Sequence, residues 1–283
     1  MSIVPTVAKS PQVEKGVEKL LSVQRPVVLA HIRSIRKRYP HATPAQTIAI
    51  LERRYLTAVT SGGAAVGASA VIPAVGVGVS VALSAVETAG FLEASALFAQ
   101  SVTEIHGIAV EDPERARTLV MAMMLGTTGS DLIKQLAGQV TGKGPTKPRF
   151  WGELVTKSLP EAAMNQIASR VQKTFVRRFA TTQGASVVGR AIPFGIGAVI
   201  GGVGNNMLGR KVITSSRTAF GEAPVEFPAG LEPRVRMPGE KTVVARVGDA
   251  GKSLGSKVGA AGKSIGARAQ RALPSRTRRT PEE

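Results

Sequence analysis

The stretch YLTAVTSGGAAVGASAVIPAVGVGVSVALSAV, residues 55–86, runs for 32 positions without a charged side chain. It lies in a chain of 283 residues with 37 Lys and Arg against 19 Asp and Glu, a formal net charge of +18. Between Arg54 and Glu111 the charges are Glu87, Glu93 and Glu104. A second stretch of the same make-up, AIPFGIGAVIGGVGNNMLG, covers residues 191–209. Each holds an Ile-Pro pair followed by close glycines: Ile72-Pro73 with Gly76 and Gly78, then Ile192-Pro193 with Gly195 and Gly197. Small side chains let helix backbones approach closely, so the two stretches are expected to pack together. Such a pair forms either a buried helical core or an insertion into a bilayer.

Composition narrows the function classes. Hydrophobic residues make up 43% of the chain and aromatic residues 4%, beside 31 glycines. That balance suits close helix–helix contacts rather than an aromatic core. With no cysteine, disulfides, thiolate metal sites and cysteine nucleophiles are excluded. The N-terminal stretch MSIVPTVAKSPQVEKGVEKLL scatters its charges and does not read as a secretory signal. The basic excess favours anionic partners, either a membrane surface or nucleic acid.

In chain order, proline-marked starts predict successive helices. They open at Ser10-Pro11 (to Leu21), at Pro26 (to Tyr39) and at Thr43-Pro44. Gly62-Gly63 is expected to loosen the third, and Pro73 to break the helix beyond it. A long helix is expected from about Gly78 to Ile105, closed by Gly107. Asp112-Pro113-Glu114 starts a helix to Gly126, Ser130-Asp131 a short one to Ala137, and Leu159-Pro160-Glu161 one to Phe179. In the last, Met164, Ile167, Val171 and Phe175 are expected inward. Residues 141–149, TGKGPTKPR, read as a polar loop, and no alternating strand pattern bounded by hairpin turns occurs. The fold class is therefore all-α: a helical bundle with two packed glycine-rich segments and a disordered basic tail. Three regions are expected: 1–43 with basic helices, 44–220 as the central helical domain, and 221–283 as the tail.

Within this frame Gly76, Ser80 and Ser84 recur every fourth residue, as do Gly197 and Gly201, the spacing of a close helix contact. Glu93, Gln100 and Glu104 share one helical face, with His106 just beyond. The two acids are expected to need partners, with Arg190 and Arg210 as candidates. Catalytic and metal signatures are missing from the sequence. The glycines at 195, 197 and 201 lack the strand before them and the acid that a dinucleotide loop needs. Gly251-Lys252-Ser253 and Gly262-Lys263-Ser264 lack the earlier glycine of a phosphate-binding loop, which Arg246 and Lys257 replace. His31, His41 and His106 have no metal-ligand spacing, so no catalytic, cofactor or metal residue is assigned.

Residues 62–120, together with Leu51-Glu52-Arg53-Arg54-Tyr55, resemble the EcsC family. The resemblance is carried by the small-residue stretch around Pro73, by Phe91-Leu92-Glu93-Ala94, by Glu104-Ile105-His106-Gly107 and by Asp112-Pro113-Glu114-Arg115. The second glycine-rich segment with Arg210 is similar to that family's C-terminal glycine-rich helix, so the likeness covers roughly residues 44–218. It implies a bacterial protein associated with the cytoplasmic side of a membrane, linked by name to an ABC transporter, and it transfers no catalytic residue.

The tail carries an 11-residue repeat, AGKSLG at 250–255 and AGKSIG at 261–266. On a helical wheel Leu254, Val258 and Ile265 fall within about 20° of Val247. Lys252 and Lys263 lie opposite, and Lys257 and Arg268 on one flank. The tail is expected to order on anionic lipid. The leading expectation is a non-enzymatic, membrane-associated helical protein, peripheral or partly inserted by a re-entrant segment. Its partners would be anionic lipid and a transporter or a second copy of itself. The alternative is a soluble helical protein that coats nucleic acid with its basic tail.

Overall fold

The computed structural model describes residues 11–69, 77–108, 110, 112–141, 152, 155, 160–189 and 196–233. For 11–15, 66–69, 77–84, 140–141, 179–189 and 196–200 it describes the backbone alone. The described residues form eight helices: α1 (Pro11–Leu21), α2 (Arg25–Arg38), α3 (Pro44–Ser69), α4 (Val77–Ile105), α5 (Pro113–Leu125), α6 (Thr127–Thr141), α7 (Glu161–Gly189) and α8 (Ile196–Phe220). No strand occurs among the described residues, and the chain is all-α as its sequence implies.

Helix starts follow local chemistry. Thr43 Oγ1 accepts from Gln46 N at 3.3 Å while Thr43 N donates to Gln46 Oε1 at 2.9 Å, a reciprocal cap before Pro44. Asp112 accepts from Glu114 N at 2.8 Å, ahead of Pro113. The end of α4 is equally local. Gly107 has φ +72°, and paired bonds from Gly107 N to Glu104 O and from Ile108 N to Thr103 O close the last turn.

The extents of three helices differ from expectation. α3 continues unbroken through Gly62-Gly63 to Ser69, and α7 runs ten residues past Phe179, to Gly189. α6 begins at Thr127 and reaches Thr141, longer at both ends than the Ser130–Ala137 reading. In α3 the reason is visible: Gly63 lies backbone to backbone against α8, and that packing outweighs the helix penalty of about 1 kcal/mol per glycine. Pro73, Gly76, the loop at 142–149 and the second Ile-Pro pair lie outside the described residues.

α3 and α8 are antiparallel. Gly63 faces Gly201, Val59 faces Asn205, Leu56 faces Gly209 and Glu52 faces Arg217. α4 turns back along the same pair, with Glu87 level with Asn205 and Ser95 level with Tyr55. Around this trio the remaining helices close one core. Leu21, Val28, Ile32 and Ile35 enter it from α1 and α2, so the N-terminal helices share the core of the central domain. Leu119, Val120 and Met123 enter from α5, and Met164, Ile167, Val171 and Phe175 of α7 are all buried, as their spacing implies.

Past α8 the chain stays on the bundle as far as Pro233, twelve residues beyond the Gly221 at which the sequence reading begins the tail. Leu231 is buried, Pro228 sits beside Gly107, and the Arg36 guanidinium lies 4.0 Å from the Phe227 ring centre. These apolar anchors hold a segment that has no helix of its own.

Candidate functional site

The seam between α3 and α8 is built from absent side chains. A Cβ on Gly201 would lie 2.5 Å from Gly63 O, and one on Gly63 would lie 2.6 Å from Gly201 O. Both are far inside van der Waals contact, so glycine is required at both positions. Further along, a Cβ on Gly209 would meet Leu56 at 3.0 Å and Val59 at 3.1 Å. Between Gly201 and Gly209, four residues from each, stands Asn205. Its side-chain amide donates to Val59 O at 3.1 Å and to Glu87 Oε1 at 3.0 Å, tying α8 to α3 and α4 at once. Deeper along the trio, Tyr55 OH and Ser95 Oγ are 2.7 Å apart, and Ser95 donates onward to Phe91 O. Burial pushes the Tyr55 hydroxyl well above its usual range, and its ring stacks on Phe98 at 4.8 Å.

The Glu87–Asn205 bond marks a level in the bundle. Beyond it, the end of α3 from Thr60, the start of α4 and the start of α8 carry no charge at all. Around that level large apolar side chains face outward: Val86 is 56% exposed, Val203 53% and Met207 59%. Val203 and Met207 are one helical turn apart, on the face of α8 turned away from Asn205. The same face continues to Arg210 and Thr214, where the chemistry changes. Arg210 and Lys211 of α8 and Arg178 of α7 line a groove of about 440 Å³ with Thr127 and Thr128 of α6 and Thr218 of α8. Among the described residues of α3, α4 and α8 the pole is thus charge-free at its tip and cationic at its rim.

The small-residue positions singled out in sequence are placed unequally. Gly201 is buried in the seam; Ser80, Ser84 and Gly197 lie on the helical backbone of α4 and α8, and Gly76 lies outside the described residues. The polar face of α4 divides as well. Glu93 is at the surface, its carboxyl pushed up by partial desolvation. Gln100 and Glu104 are buried. Glu104 takes a partner from α2 rather than from Arg210: Arg25 donates to it at 2.6 and 3.3 Å. Arg210 instead donates to Asn206 Oδ1 at 2.8 Å, and Arg190 lies outside the described residues. His106 stacks on Phe220 at 5.1 Å, and burial lowers its affinity for a proton. Beside the Arg25–Glu104 pair, Gln100, Thr103 and Ile108 line a small cavity of about 170 Å³. The tail residues Lys252, Leu254, Lys257, Val258, Lys263, Ile265 and Arg268 lie outside the described residues.

Sequence reasoning missed Asn205, Glu87 as its partner, and the Glu52–Arg217 pair at 2.6 Å. Asn205 had a usable signal, since it interrupts the four-residue glycine spacing between Gly201 and Gly209. No helix among the described residues is long and apolar enough to cross a membrane. No family model, curated protein or solved structure matches the chain.

Proposed function

We propose that this protein is a non-enzymatic, membrane-associated helical protein that inserts the charge-free pole of α3, α4 and α8 into one leaflet. The observation that carries the reading is the outward exposure of Val86 on α4 and of Val203 and Met207 on α8, at a pole whose three helix ends hold no charge. Large apolar side chains exposed beside a polar rim, as Val203 and Met207 are, suit an interaction surface. Length favours a half-depth insertion. From Ile196 to Met207 α8 rises about 17 Å at 1.5 Å per residue, roughly half of a 30 Å hydrocarbon core. Gly63, Gly201 and Gly202 let α3 and α8 pack closely there, which suits a pair of helices that enters a bilayer together. The net charge of +18 supports the anionic cytoplasmic leaflet as the surface. The resemblance to the EcsC family agrees with this role, as an accessory factor beside a membrane transporter or a self-associating surface protein.

Flotation of the full chain with vesicles of phosphatidylcholine and phosphatidylserine tests the reading. The parent is expected to float and to stay bound in high salt, because apolar insertion is not screened. Val203→Glu with Met207→Glu places two charges on the inserting face and is expected to make binding salt-labile. Release of the parent by salt alone would contradict insertion.

A further inference from the structure

The outer face of α8 changes from apolar to cationic within two turns, and the groove lies at that change. Met207 and Arg210 are three residues apart, about 4.5 Å along the axis, so an apolar chain along Met207 and Val203 would end at the groove. Among the described residues that line it, the groove gathers three cationic side chains and no acid. Its donors can be counted. Arg210 uses Nε on Asn206 Oδ1, which leaves its two terminal amino groups to donate. Arg178 Nη1 donates to Thr128 Oγ1 at 2.9 Å, so the Thr128 hydroxyl proton remains for another acceptor. Lys211 is exposed at the rim. The hydroxyls of Ser130, Thr214 and Thr218 already donate to backbone carbonyls and face the groove as acceptors or spacers. α6 opens at Thr127 in the wall, and its N-terminal partial positive charge adds to the field. Cations and hydroxyls lining one groove suit a phosphate group, whose oxygens accept several charge-assisted bonds.

We infer that the groove between α6, α7 and α8 binds the phosphate headgroup of an anionic lipid, with the acyl chains lying along Met207 and Val203. The assignment rests on the membrane reading above and adds to it a headgroup preference. A phosphomonoester headgroup offers more exposed oxygens and more charge than a phosphodiester capped by serine, so it is the preferred class.

The test compares full-length chain on three vesicle compositions: phosphatidylcholine alone, with phosphatidic acid, and with phosphatidylserine, the last two matched in surface potential. Matching holds the attraction of the basic tail constant, so a difference reports the headgroup. The parent is expected to bind the phosphatidic acid vesicles roughly tenfold more tightly, equivalent to about 1.4 kcal/mol. Arg210→Gln with Lys211→Gln is expected to abolish that difference, and Arg210→Lys to keep part of it. Both positions are exposed, and circular dichroism of each variant confirms the fold. Equal binding to both anionic vesicles, or a preference that survives the double substitution, overturns the groove assignment and leaves insertion standing. No binding to any vesicle overturns both. Glycerol phosphate binding that the double variant loses, without vesicle binding, would transfer the site to a soluble phosphate and overturn the lipid assignment.

Discussion

Gly201 and Gly204 differ by one helical turn and should respond in opposite directions to the same substitution. Gly201→Ala drives a Cβ to 2.5 Å from Gly63 O, so α3 and α8 must separate, at a cost of about 1–3 kcal/mol. Around Gly204 nothing lies within 4 Å, so Gly204→Ala gains up to about 1 kcal/mol of helix propensity. Denaturant midpoints of the two variants check this pair, and equal shifts would refute the close seam. A second residue-scale expectation concerns His31 and His106. Burial lowers the proton affinity of both, in His31 with help from Arg54. The unfolded chain takes up protons near pH 6.5 while the folded chain resists, so these groups stabilise the fold above that pH and cease to as pH falls. The melting temperature is expected to drop between pH 7.5 and 5.5, and less so in a His31→Gln, His106→Gln variant. Glu93, with its carboxyl pushed up, acts in the opposite sense by favouring the protonated fold.

At the scale of elements, helix starts were legible because their causes are local: a cap and a proline within three residues of each other at Thr43-Pro44 and Asp112-Pro113. The inward face of α7 was legible for the same reason, since four apolar residues at helical spacing need one buried side. What Gly62-Gly63 does was not legible, because the backbone that steadies it comes from α8, far along the chain. Long-range polar pairs were hidden likewise: Arg25 meets Glu104 across 79 positions and Asn205 meets Glu87 across 118. These pairs should differ in worth. Asn205→Ala removes buried bonds to a carboxylate and a carbonyl, an expected loss of about 1.5–3 kcal/mol. Arg217 is 67% exposed, so Arg217→Gln is expected to cost below about 1 kcal/mol despite its 2.6 Å contact with Glu52. Denaturation in parallel ranks them, and the reverse order would show that α8 is held from its C-terminal end instead.

Over the whole molecule, the two glycine-rich stretches that set apart residues 55–86 and 191–209 meet as α3, α4 and α8, as the sequence implied. Their encounter makes one end of the bundle apolar and leaves Arg178, Arg210 and Lys211 at its edge. The cationic groove was not legible, since its three walls come from three separated helices. The proposed role depends on that end facing lipid. The chain has no cysteine, so single cysteines can carry an environment-sensitive fluorophore without a background label. With Val203→Cys, Met207→Cys and, as the distal control beyond the C-terminus of α8, Glu222→Cys, emission is recorded on vesicles containing lipids brominated at defined depths. Insertion predicts a blue shift at 203 and 207, quenching that is deeper at 203 than at 207, and no change at 222. Unshifted emission at 203 and 207 while the protein remains vesicle-bound would contradict the inserted pole.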